Sequence, residues 1–136
     1  MNQELPPPIA NADSLAYWNA ARERKLVLRK CRACDTLHFM PRCLCPACWS
    51  DQLEWVPSKG MGTVYSFSVI RRAPLPAFAA RVPYVTALIE LDEGPRMMAN
   101  VVGENALSVQ IGDKVRVTFE DRGNGVLIPQ FELVNT

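Results

Sequence analysis

Beyond residue 60 the chain alternates apolar and polar positions in short runs separated by turn residues. Val64, Tyr65, Phe67 and Val69 fall within GTVYSFSVIRR, and PYVTALIELDEG ends in Asp92-Glu93-Gly94-Pro95. RMMANVVG stops at Gly103, KVRVTFEDRGNG alternates Val115, Val117 and Phe119, and VLIPQFELV follows. Period-two alternation bounded by Gly, Pro and Asp predicts strands. With LEWVPSKG before them, five or six strands in about 80 residues predict a small closed barrel, best matched by an OB-like fold. Closure removes exposed sheet edges. Tyr65 and Phe67 are expected inside it, and ENALSVQIGDK is expected to hold one short helical turn.

The N-terminal pattern differs. Met1–Asn11 is Pro-rich and polar, which predicts a loose tail. DSLAYWNAARER reads as a helix capped by Asp13, with Leu15, Trp18 and Ala21 or Arg22 at helical spacing. So short a helix must rest Leu15 and Trp18 on the rest of the chain or on a partner. KLVLRKC is a strand, and a hairpin continues from Thr36 to Met40 and turns at Pro41. The fold class is therefore mainly β: tail and helix over 1–24, a ribbon over 25–52, and an OB barrel over 53–136.

Four of the five cysteines form two hooks, Cys31-x-x-Cys34 and Cys45-x-x-Cys48, with ten residues between the hooks. That spacing predicts a tetrahedral metal site, with zinc as the ion, in a rubredoxin-like ribbon. Sulfur-only ligation leaves no open coordination position, so the ion is expected to be structural. Cys43 breaks the hook spacing and is expected to be an idle thiol. His38, between the hooks, is expected to be a hairpin side chain rather than a ligand. Such hooks usually place Gly after the second Cys, where φ is positive. Asp35 and Trp49 stand there; Asp tolerates that conformation, whereas Trp predicts a distorted second knuckle or a packed ring.

Net charge is +1, which argues against a polyanionic partner. The N-terminus lacks the basic start and apolar core of a secretion signal, and no apolar run nears the roughly 20 residues of a membrane span. A cytosolic protein that does not engage the membrane is expected, and paired C-x-x-C motifs there favour metal over disulfides. The chain has one His and none of the common nucleophile, metalloprotease or nucleotide motifs, so no catalytic residue is assigned. Zinc ribbons and OB barrels also bind single strands, which leaves a nucleic-acid module as the alternative. Inward aromatics and an acidic C-terminal half weigh against it.

One segment remains, RRAPLPAFAARVP from Arg71 to Pro83. Three prolines stiffen it, and Leu75 and Phe78 are apolar beside Arg71, Arg72 and Arg81. It suits docking a partner protein, holding an acyl chain with arginines near phosphates, or folding over the barrel's own end.

These residues carry a resemblance. C-R-A-C, M-P-R-x-x-C-P-A-C, L-E-W-V-P-S-K-G-x-G-T-V-Y-S-F-S-V and P-Y-V-T-A-L-I-E-L-D-E-G-P-R-M-M-A-N-V-V-G, in that order, resemble the acyl-CoA-associated zinc-ribbon/OB-fold family. The match runs from Leu15 to the last strand; Asp35, Met40, Cys43 and Trp49 depart from the pattern. The resemblance implies an accessory subunit beside thiolase-fold enzymes, hydratases or retro-aldolases acting on acyl-CoA thioesters, with catalysis left to the partner. Arg71, Arg72, Arg81 and Phe78 are then candidates for acyl-CoA or partner contact, and Leu15 and Trp18 for partner docking. Self-association is expected where the partner is absent.

Overall fold

The computed structural model describes residues 8–39, 42–122 and 125–134. The tail as far as Pro7, Met40, the expected turn at Pro41 and the Gly123–Asn124 part of the Gly-Asn-Gly turn lie outside these residues. Helix α1 (Leu15–Arg22) leads to β1 (Val27–Cys31), β2 (Leu37–His38) and β3 (Leu53–Pro57). Strands β4 (Met61–Ile70), β5 (Tyr84–Leu91), β6 (Arg96–Val102), β7 (Lys114–Asp121) and β8 (Leu127–Leu133) follow. The short helical turn expected before β7 is a 3-10 turn at Ala106–Ser108.

Asp13 does not cap α1. Ser14 occupies the cap position, but its side chain bonds back to Asn11 rather than to the helix: its N–H donates to Asn11 Oδ1 at 2.9 Å, and its hydroxyl accepts the Asn11 N–H at 3.1 Å. The helix ends with Arg24 at φ 61° and the Lys25 N–H bonded to the Ala20 carbonyl, a Schellman closure without glycine. Tyr17 and Ala21 form its buried face with Trp18 beside them, while Leu15 is 52% exposed. The packing stripe is thus rotated away from the expected Leu15–Trp18 line. The Tyr17 ring meets Trp18 and Phe39 edge-on at 4.9 and 5.5 Å, joining the helix to the ribbon.

The ribbon sheet has the order β2-β1-β3. Strand β3 pairs with β1 from Val27↔Pro57 to Cys31↔Leu53, and the Arg29 guanidinium lies 4.2 Å over the Trp55 ring. Leu53–Pro57, grouped with the barrel from its sequence, therefore hydrogen-bonds in the ribbon sheet. The barrel closes with five strands in the order β4-β5-β6-β8-β7. Consequently the Arg71–Pro83 loop joins the first and second barrel strands.

A bulge between Val64 and Ser66 leaves Tyr65 without a register partner and turns it outward, 47% exposed, with Arg96 3.8 Å over its ring. Phe67 alone of the two aromatics packs on the core. Alternation cannot reveal one inserted residue, so the expectation that Tyr65 lies inside fails at the bulge. Among the described residues β6 and β8 pair in parallel at Val101↔Phe131 and Val102↔Glu132 only. Beside that short seam Tyr17, Trp18, Met97, Ile128 and Pro129 line an apolar groove of about 280 Å³. A single core runs from Tyr17, Leu26 and Leu28 to Val64, Ile89 and Phe131, so helix, ribbon and barrel share buried surface. No helix among the described residues is long and apolar enough to cross a membrane.

Candidate metal centre and contact loop

Each cysteine hook is a tight turn built the same way. The Cys31 N–H donates to the Thr36 carbonyl at 2.9 Å and the Asp35 N–H to the Cys31 carbonyl at 2.8 Å. The Cys45 N–H donates to the Ser50 carbonyl at 2.8 Å and the Trp49 N–H to the Cys45 carbonyl at 2.9 Å. Asp35 sits at φ 60° and Trp49 at φ 66°. Trp49 therefore takes the glycine-like conformation without distorting its knuckle. Its ring is 77% exposed, so it is not packed into the chain either, and both expectations for Trp49 fail. The backbone bonds of the turn outweigh the steric cost of a Cβ at positive φ.

These turns bring the sulfurs of Cys31, Cys34, Cys45 and Cys48 within 4.8 Å of one another. Cys31 Sγ lies 3.6 Å from Cys48 Sγ, and Cys34 Sγ lies 3.6 Å from Cys45 Sγ. Four sulfurs about 2.3 Å from a zinc ion would sit about 3.8 Å apart, so the cluster fits a tetrahedral thiolate site. Cys31 and Cys45 are buried while Cys34 and Cys48 are exposed, which seats one side of the site on the protein and leaves the other facing out.

Electrostatics point the same way. The Thr36 hydroxyl, 3.1 Å from Cys34 Sγ, and then the Thr36 backbone draw the Cys34 thiol down to about 6. A backbone hydrogen bond at Ser50 pulls Cys48 down, but the sulfurs of Cys34 and Cys31 outweigh it and push Cys48 up to about 12. A divalent cation at the centre would let all four sulfurs ionise together, as zinc ligation requires. His38 is buried on β2 opposite Arg29 and outside the four-sulfur cluster, as is the exposed Cys43.

The Arg71–Pro83 loop is ordered by its own turns. The N–H groups of Phe78, Ala79 and Arg81 donate to the carbonyls of Leu75, Pro76 and Phe78 at 2.9, 3.1 and 2.9 Å. Phe78 is half-buried against Tyr84, ring centres 5.9 Å apart. Arg71 and Arg72 are exposed, but Arg81 is committed to an ion pair with Glu120 on β7. Arg81, Ala80, Tyr84, Val101 and Leu107 line a cleft of about 410 Å³.

What holds Arg81 has no local mark in the sequence. Glu120 Oε1 also accepts from Arg122 Nε at 2.9 Å, and Glu120 Oε2 accepts from Gln130 Nε2 at 3.2 Å. Gln130 Oε1 in turn accepts the Asn100 N–H at 2.8 Å, and the Thr86 hydroxyl donates to Asn100 Oδ1 at 3.2 Å. These residues alternate with the core positions Val85, Ala99, Val101 and Phe131, so they lie on the strands' outer face. Gln130 is nevertheless only 4% exposed. A polar residue at an outward position reads as surface, and no local pattern marks it as buried.

Comparison with known proteins agrees with this architecture. Residues 18–54 match the model described as ChsH2, rubredoxin-like zinc ribbon domain, and residues 55–120 match ChsH2, C-terminal OB-fold domain. A DUF35 domain-containing scaffold protein of Methanocaldococcus jannaschii is 35% identical over 116 residues, covering 81% of this chain and 82% of its own. A probable enoyl-CoA hydratase alpha subunit of Thermomonospora curvata is 38% identical over 126 residues. The match covers 93% of this chain but only 39% of that subunit. The solved structure titled Ltp2-ChsH2(DUF35) aldolase holds a chain with TM-score 0.82 and 37% identity, covering 93% of this chain and 98% of that one. A ribbon with its four-cysteine metal site, followed directly by a five-stranded OB barrel, makes this chain a member of the ChsH2-type DUF35 family.

Proposed function

We propose that this chain is a non-catalytic accessory subunit that docks on a thiolase-fold, hydratase or aldolase enzyme acting on acyl-CoA thioesters. The observation that carries the reading is the near full-length likeness to the chain of the Ltp2-ChsH2(DUF35) aldolase, at 37% identity over 93% of this chain. The DUF35 scaffold protein of Methanocaldococcus jannaschii and the hydratase alpha subunit of Thermomonospora curvata support the same role. Zinc on Cys31, Cys34, Cys45 and Cys48 is structural in this reading, because four thiolates fill a tetrahedral ion and leave no position for substrate.

Two surfaces serve the partner. The exposed Leu15, with Trp18 at the groove beside it, forms one, and the loop bearing Arg71, Arg72, Phe78 and Arg81 forms the other. The cleft along Arg81 and Tyr84 offers the apolar side chains of Val101 and Leu107, which suit the acyl part of an acyl-CoA reaching in from the partner, with Arg81 there already paired to Glu120. Exposed apolar residues on the free subunit favour self-association, and the working compartment is the cytoplasm.

The test is affinity capture of the tagged chain from lysate of the source organism, with half of the sample treated with nuclease. A stoichiometric acyl-CoA enzyme that survives nuclease supports the reading. Recovery of nucleic acid with no enzyme overturns it in favour of a single-strand-binding module.

A further inference from the structure

Glu120 is the meeting point of two arginines and a buried amide. Its Oε1 accepts from both Arg81 and Arg122, and the Arg122 side chain is only 7% exposed. Its Oε2 accepts from Gln130, whose own oxygen is bound to the main chain of β6. Gln130 lies on β8 and Arg122 directly follows β7, so both hold the carboxylate from the β7–β8 side, and Arg81 is the member supplied by the loop. The chain of bonds then crosses β7, β8, β6 and β5 through Glu120, Gln130, Asn100 and Thr86. Thr86 lies two positions past Tyr84, against which Phe78 rests.

We propose that Glu120 is a positioning residue for the contact loop: held by Arg122 and Gln130, it fixes Arg81 and so sets the conformation of residues 71–83. The loop's own bonds are local turns of the main chain, and they do not specify where the turn sits on the barrel. A charge-assisted bond from Arg81 to a carboxylate already immobilised from two sides does specify it, at little further entropic cost to the acceptor. Gln130 also lines the groove beside α1, so the same network places the loop relative to the helix. The consequence for docking rests on the proposed function; the latch itself does not.

The experiment is hydrogen exchange on the zinc-loaded full chain, read at the amides of Phe78, Ala79 and Arg81, in R81A, E120A, the double variant and E120D. Loss of the latch should speed exchange there by about tenfold in each single variant. The double variant should exchange no faster than either single, because the two residues act through one bond. E120D should restore part of the protection. Zinc content and exchange in β5 of R81A, a half-exposed position, report whether the fold is intact. Unchanged loop exchange in R81A, or additive effects in the double variant, overturns the proposal. Faster loop exchange in R81A with partner capture unaltered would implicate the docking reading and not the latch.

Discussion

Gln130 Oε1 accepts the backbone N–H of Asn100 at 2.8 Å, so a side chain stands where a neighbouring strand would ordinarily offer a carbonyl. It does so at the β6–β8 seam, where backbone pairing among the described residues reaches only Val101↔Phe131 and Val102↔Glu132. Pro129 beside it has no N–H to contribute. Replacing Gln130 with Leu leaves the Asn100 amide without this acceptor and removes a donor from Glu120. The expected loss is about 1–3 kcal/mol of stability, measured by urea unfolding. A loss below a few tenths of a kcal/mol would mean the seam does not depend on this bond.

Glu120 carries a pH signature. Burial alone would raise its carboxyl, but the hydrogen bond from Arg81 and the charges of Arg122 and Arg81 outweigh burial and hold it below the usual carboxylate range. Its folded pKa therefore lies below its unfolded one. The stabilisation is present above the unfolded value, about 4.3 for a glutamate, and fades as pH falls through the folded value. Unfolding free energies of wild type and E120Q should differ at pH 7 and converge in acid. A gap that stays constant down to pH 3 contradicts the assignment.

Trp49 holds φ 66° with its ring 77% exposed, so its Cβ costs conformational energy and its ring gains little from the chain. Trp49→Gly should stabilise the metal-loaded protein by up to about 1 kcal/mol in thermal or chemical unfolding. Gly62→Ala should act in the opposite direction, since a Cβ there would lie 2.8 Å from the Glu90 carbonyl oxygen. Destabilisation by Trp49→Gly would show that the ring makes contacts that matter to the folded chain.

Metal and ribbon should fold together. Cys45→Ser removes a buried thiolate, and the variant should lose bound zinc as measured by elemental analysis, with exchange rising sharply across β1 and β2. The Glu120–Gln130 bond joins β7 to β8, with Arg122 closing on Glu120 from just past β7, so amides of β7 and β8 should stay protected longer than those of the ribbon. Full zinc retention in this variant would exclude Cys45 as a ligand.

The parts of this fold visible in the sequence are those set by neighbours along the chain. Hook spacing fixed the four sulfurs, and alternation with turn residues located all five barrel strands. What stayed hidden depends on distant residues. Strand β3 joins the ribbon because Trp55 and its neighbours meet β1, some 25 positions earlier in the chain, around Arg29. Tyr65 faces outward because one bulged residue breaks the alternation on which the expectation rested. Glu120, Arg122 and Gln130 looked like ordinary outward positions, and only the folded barrel brings Arg81 to them. The resemblance named the family, but no motif in it pointed to this network.

Arg71 and Arg72 remain the exposed cations of the contact loop. Reversing both to Glu should weaken partner or acyl-CoA binding by about tenfold or more while leaving the melting temperature within about a degree. Unaltered binding of both would remove these arginines from the contact surface.

On the proposed function, this chain assists catalysis performed by another subunit. Turnover of acyl-CoA thioesters should be measured with the captured partner alone, with this zinc-loaded chain alone, and with the two combined. No turnover is expected from this chain alone, and higher turnover from the complex than from the partner alone. Turnover by the purified chain, proportional to its concentration and free of any partner, would contradict it.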